Sequence, residues 1–206
     1  MIIALSAAAA AVSVTHLAAC GLGRQRLRYL TKLMLMPLVC GLYMALTGKP
    51  SLVVVAAMLC GWAGDWFMIY KHREAFLAAG MAAFGLGHIF YVAHIGVLAA
   101  EAQPRLFTVL AAILLPGAIA LSVFFALRTR IPKELRLPGL LYGLLLASLG
   151  SAAFIGLLAG GCLFLCSDGI LAFETFRDGD SNAADVAVML TYIAAQLLLA
   201  LGFSRV

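Results

Sequence analysis

The chain has 206 residues, of which 65% are hydrophobic and 11% charged, with a mean hydropathy of +1.08. A water-soluble domain of this size is excluded, and continuous apolar runs without alternation exclude a membrane β-barrel. The net charge of +5 is spread through short links between apolar segments, so it reads as membrane topology and nucleic acid is not an expected partner.

The expected fold is an all-α, polytopic transmembrane helix bundle, one domain over residues 1–206, because helices satisfy their own backbone in lipid. Segments long enough to cross fall at about 2–22, 30–47, 51–70, 75–99, 105–127, 137–152, 154–176 and 185–203. The first is Ala-rich and ends in Leu-Ala-Ala-Cys20, like a lipoprotein cleavage box. It lacks a basic leading region and is read as a span. Between Leu137 and Phe176 only Asp168 and Glu174 are charged, and forty residues of helix cover about 60 Å, two crossings. A tight turn is expected near Gly150-Ser151, giving eight spans, with seven as the alternative. Eleven of the fourteen Lys and Arg fall in the odd-numbered loops or at their edges, against Lys49, Arg105 and Arg205 elsewhere. The odd loops are therefore expected in the cytoplasm, with both termini on the other side. The expected location is the bacterial inner membrane.

Span three carries Asp65 as its only charge, and span seven carries Asp168 within Ile155–Phe173 in the same way. An ionisable group deep in a bilayer costs roughly 2.5–3.5 kcal/mol on insertion scales, so two cost about 5–7 kcal/mol. Structural carboxylates paired inside a bundle are one explanation. The other is chemistry: two carboxyl groups in low dielectric divide into one that holds its proton and one that is ionised, as acid–base hydrolysis requires.

Other polar residues share this depth. In span four Phe84, His88 and Tyr91 lie on one helical face, and His88 is a candidate third catalytic group or hydrogen-bonding partner. Lys32 opens span two and is either a contact for a lipid phosphate or a snorkelling boundary residue. Tyr142 in span six, with Tyr192 and Gln196 one turn apart in span eight, are candidates to orient a head group or a water. An aromatic-belt role is the alternative for a tyrosine near the interface. No HExxH or GxSxG pattern occurs, and no metal or cofactor is expected. The five cysteines lie in apolar segments without zinc-ribbon spacing, so a disulfide framework is not expected. Cys162 and Cys166 share a helix face and read as small packing residues.

Five segments carry a family resemblance: AGDWFMIY around Asp65, GMAAFGLGHIFYVAHI around His88, LPGLLYGLLLASLG around Tyr142, GCLFLCSDGILAFETF around Asp168 and LTYIAAQLLLALG around Gln196. In order and spacing they resemble the YhhN-type lysoplasmalogenases, from about Leu30 to Gly202. Leu33 and Ile193 depart from the family's usual proline and tyrosine. The resemblance implies cleavage of the vinyl ether bond of lysoplasmalogens to a fatty aldehyde and glycerophosphoethanolamine or glycerophosphocholine, with a lysolipid substrate from the bilayer and no cofactor. Asp65, Asp168 and His88 are then the expected catalytic residues, with Lys32, Tyr91, Tyr142, Tyr192 and Gln196 around the substrate. A proton-coupled transporter or lipid carrier using the aspartates as a relay is the competing class, and a structural or regulatory lipid-binding protein a third. The two halves show no convincing internal repeat of the kind many transporters carry.

Overall fold

The computed structural model describes residues 1–102, 106–131, 133–148, 155–176 and 181–205. Among them are eight helices and no strand: α1 (Ile2–Gly21), α2 (Gln25–Leu46), α3 (Leu52–Met68), α4 (Glu74–Ala102), α5 (Leu106–Leu127), α6 (Lys133–Ser148), α7 (Ile155–Phe176) and α8 (Asn182–Phe203). Four of these stretches are long and apolar enough to cross a membrane: α1, α2, Glu74–Leu98 of α4, and α8. The protein is therefore an all-helical, multi-pass membrane protein. Large apolar side chains such as Ile3, Leu30, Leu52 and Leu59 stand exposed. In water that would be a liability; against acyl chains it is the required surface.

The helices reach beyond the apolar segments. α2 starts at Gln25, taking in Arg26 and Arg28, and α6 starts at Lys133, taking in Glu134 and Arg136. Hydropathy marks where the membrane is, and a helix is free to continue past it with charged side chains in water. The turn expected near Gly150-Ser151 lies outside the described residues.

The first two helices join through a closure that needs its glycine. The N–H of Gly23 donates to Cys20 O and that of Arg24 to Ala19 O, while Gly23 takes a φ of 63°. This is a Schellman stop, in which a residue with a Cβ would be strained.

The chain forms two compact units. The first holds Met1–His94 and Ala200–Val206, the second Ile95–Leu199. In the first unit α1 packs on α2 and α2 on α3, around a core that includes Leu35, Met36, Val39, Tyr43, Val54, Ala57 and Met58. The buried Tyr43 accepts at its hydroxyl from the N–H of Ser51 (2.9 Å), satisfying a donor at the start of α3. α3 and α4 meet through glycines: a Cβ on Gly64 would lie 2.9 Å from the Phe84 ring, and one on Gly87 2.9 Å from the Ala57 carbonyl. Gly80 faces Met68 in the same antiparallel register. In the second unit α5, α6 and α7 pack together, and α7 runs against α8, where a Cβ on Gly160 would lie 2.9 Å from Leu199.

Candidate active site

Asp65 sits in the last turn of α3, 1% exposed. Lys32 reaches it from the neighbouring helix, with Nζ 3.3 Å from Oδ1, and is itself 20% exposed. The register that brings them together is held one turn away, where the indole Nε1 of Trp62 donates to the Leu33 carbonyl (2.9 Å). A buried ion pair of this kind gains little against an apolar pair, but stripping away one partner leaves an uncompensated charge. Lys32 is thus the counter-charge of Asp65, a role the sequence reading had not assigned to it.

The close α3–α4 approach positions His88 and Tyr91. Gly87 allows α4 onto Ala57, Cys60 and Gly61, so His88 stands about five residues, roughly 7 Å, along the axis from the level of Asp65. His88 is 2% exposed, and its Nδ1 lies 2.6 Å from the Phe84 carbonyl. A carbonyl can only accept, so Nδ1 carries the proton and a neutral ring offers Nε2 as acceptor. Tyr91 is buried and its ring stacks on Phe203 at 5.2 Å and 11°. Its hydroxyl has no hydrogen-bond partner among the described residues. Such a group costs about 1–3 kcal/mol, a cost that a substrate oxygen or a water would offset.

The remaining candidates belong to the second unit. Asp168 on α7 is partly buried. Beside it the fully buried Ser167 donates to the Val188 carbonyl of α8 (3.0 Å). One turn back, Phe164 meets Tyr192 edge-on at 5.5 Å and 72°. Gln196, 2% exposed, follows Tyr192 on the same face of α8, and its Oε1 is buried without a hydrogen-bond partner among the described residues. Tyr142 lies on α6, and its side chain falls outside the described residues.

Lys32, Asp65, His88 and Tyr91 therefore share the first unit, and Asp168, Tyr142, Tyr192 and Gln196 the second. Three buried polar residues are not among the sequence candidates. Glu174 is buried on α7, Ser167 ties α7 to α8, and His16 is buried on α1 with Nδ1 2.7 Å from Thr31 Oγ1. A signal for the last was present: His16 and Thr31 are equally far from the Gly23-Arg24 turn, so an antiparallel hairpin sets them opposite each other.

Residues 27–203 match the model of the YhhN family. Lysoplasmalogenase TMEM86B of Mus musculus is 33% identical over 166 residues, covering 77% of this chain and 66% of that protein. The protein of the same name from Homo sapiens is 33% identical over 170 residues, covering 79% and 68%, and that from Rattus norvegicus 33% over 161, covering 77% and 64%. The chain thus spans about two thirds of the length of these relatives. No solved structure matches it. Every candidate from Lys32 to Gln196 lies within the matched segment, whereas α1 with His16 precedes it; the chain belongs to the YhhN family.

Proposed function

We propose that the protein is an intramembrane hydrolase that cleaves the vinyl ether bond of lysoplasmalogens. The observation that carries this reading is the one-third identity to lysoplasmalogenases over most of the chain, in a protein whose α3 holds a fully buried carboxylate. The reading extends to eight spans with both termini outside the cytoplasm, supported by the eight helices and by the distribution of Lys and Arg. The location is a bacterial inner membrane.

In this chemistry Asp168 is the acid. Its carboxyl proton goes to the vinyl carbon distal to the ether oxygen, and the π electrons form the new C–H bond, leaving an oxocarbenium ion. Asp65, held beside the Lys32 ammonium, is the ionised partner that steadies this cation and takes a proton from the attacking water. The hemiacetal then collapses: its hydroxyl proton returns to Asp168, Asp65 protonates the departing glycerol oxygen, and the fatty aldehyde leaves. Both carboxyl groups end as they began. Lys32 also contacts the lipid phosphate through its exposed side, His88 supports the acid–base step, and Tyr91, Tyr142, Tyr192 and Gln196 orient the substrate and water.

The test is incubation of the detergent-purified protein with a vinyl ether lysolipid and its saturated ether analogue. Aldehyde from the first and no cleavage of the second is expected. Uptake of either lipid driven by a proton gradient, with neither cleaved, would replace the enzyme by the transporter reading.

A further inference from the structure

His16 lies on the one helix that precedes the family match, yet it is 1% exposed. Its contacts fix the direction of a short hydrogen-bond chain. Thr31 Oγ1 is 2.6 Å from the Leu27 carbonyl, one turn back along α2. A hydroxyl has a single proton and a carbonyl can only accept, so the Thr31 proton points to Leu27. The oxygen must then accept from His16, whose Nδ1 lies 2.7 Å away. With Nδ1 carrying the proton, Nε2 of the neutral ring is an acceptor, and the Cys20 thiol 3.7 Å away donates to it. Each end of the imidazole is therefore committed, one to its own helix and one to α2.

Thr31 immediately precedes Lys32. On a helix, neighbours point about 100° apart, so the residue held by α1 sets the rotation at which the next one leaves α2 toward α3. On the other side, Trp62 of α3 donates to the Leu33 carbonyl. Residues 31, 32 and 33 are thus clasped between α1 and α3, with Lys32 at the centre, 3.3 Å from Asp65. We infer that His16 is a positioning residue, which by donating to Thr31 fixes the turn of α2 that aims Lys32 at Asp65 and at the substrate phosphate. This rests on the phosphate-contact role of Lys32 proposed above.

The test uses two readouts on the full-length protein in detergent. The chain has four lysines, Lys32, Lys49, Lys71 and Lys133, so reductive methylation with carbon-13 yields a resolvable signal for Lys32. In His16→Leu that signal is expected to move while the other three lysines stay in place. His16→Asn presents an amide N–H where Nδ1 was and is expected to restore it. His16→Gln, polar and of similar size, directs its amide toward Cys20 and is expected to behave like the leucine variant, which separates the effect from polarity or folding. In parallel, His16→Leu and His16→Gln are expected to raise KM for a phosphate-bearing vinyl ether lysolipid about tenfold, the scale of one lost hydrogen bond. They should leave KM for a phosphate-free alkenylglycerol unchanged. A Lys32 signal that stays put in both variants overturns the inference, as does an unchanged KM in them where Lys32→Gln raises it. If Lys32→Gln itself leaves KM unchanged, the phosphate role of Lys32 fails instead, and the carbon-13 signal alone decides whether His16 aims the lysine.

Discussion

The hairpins α3–α4 and α7–α8 are built alike and finished differently. In each, the first helix carries an aspartate toward its C-terminal end and the second runs antiparallel against it through a glycine seam. At Gly87 the α3–α4 seam brings backbone against backbone, facing the Ala57 carbonyl at 2.9 Å, while Gly64 and Gly80 face the Phe84 and Met68 side chains. Its aspartate is fully buried and balanced by Lys32 from a third helix. In the α7–α8 seam Gly160 faces Leu199 at 2.9 Å and the Ala195 carbonyl at 3.2 Å, Phe164 meets Tyr192, and Ser167 donates to the Val188 carbonyl. Its aspartate keeps part of its surface open. A buried charge needs a counter-charge and a wall that does not move. A carboxyl that must hand a proton to an incoming lipid needs access. The contrast supports the division of labour proposed for Asp65 and Asp168.

The largest effect that could break this contrast is on rate. Asp65→Asn and Asp168→Asn are each expected to lower aldehyde release about 10²–10⁴-fold, the usual weight of a general acid or base. Both should still elute as folded protein on size exclusion in detergent. Either variant at full rate removes its carboxylate from the chemistry.

The next effect is on stability and falls on the first hairpin. Lys32→Met leaves Asp65 buried without its ammonium and is expected to cost about 3–5 kcal/mol. The double variant Lys32→Met, Asp65→Asn should recover most of it, because the orphaned charge is gone. Thermal unfolding of the four proteins measures this, and equal losses in single and double variants would show that the pair carries no coupling.

Smaller effects compare the two seams. Gly87→Ala drives a methyl into a main-chain carbonyl and is expected to cost about 1–3 kcal/mol. Gly160→Ala meets Leu199 Cγ at 2.9 Å and the Ala195 carbonyl at 3.2 Å, a looser main-chain contact than at Gly87, and should cost somewhat less. Gly96→Ala, with nothing within 4 Å of the new methyl, should lose nothing and gain up to about 1 kcal/mol of helix preference. The same melting series ranks the three. Last, Ser167→Ala removes one hydrogen bond to Val188, about 0.5–1.5 kcal/mol, and should loosen α8 against α7 as seen in faster amide exchange around Val188.

Much of this was legible in the sequence. Hydropathy alone placed the helical segments and picked out both aspartates, because a lone charge in an apolar run is conspicuous. Helical spacing placed Phe84, His88 and Tyr91 on one face. Spacing reports only residues on the same helix, however, and so could not show that Lys32 meets Asp65 or that Ser167 reaches Val188. His16 gave no such signal for a related reason: its partner Thr31 comes from across the Gly23 turn. α2 and α6 begin before their apolar stretches because Arg26, Arg28 and Glu134 are helical outside the membrane-grade segments.

The most direct test of the account is cleavage in deuterium oxide, with the aldehyde reduced as it forms and its label located. Protonation of the distal vinyl carbon predicts one deuterium on the carbon next to the carbonyl in each product molecule, and none in unreacted lipid. An aldehyde formed without deuterium at that carbon would contradict acid-catalysed hydrolysis as the reaction of this protein.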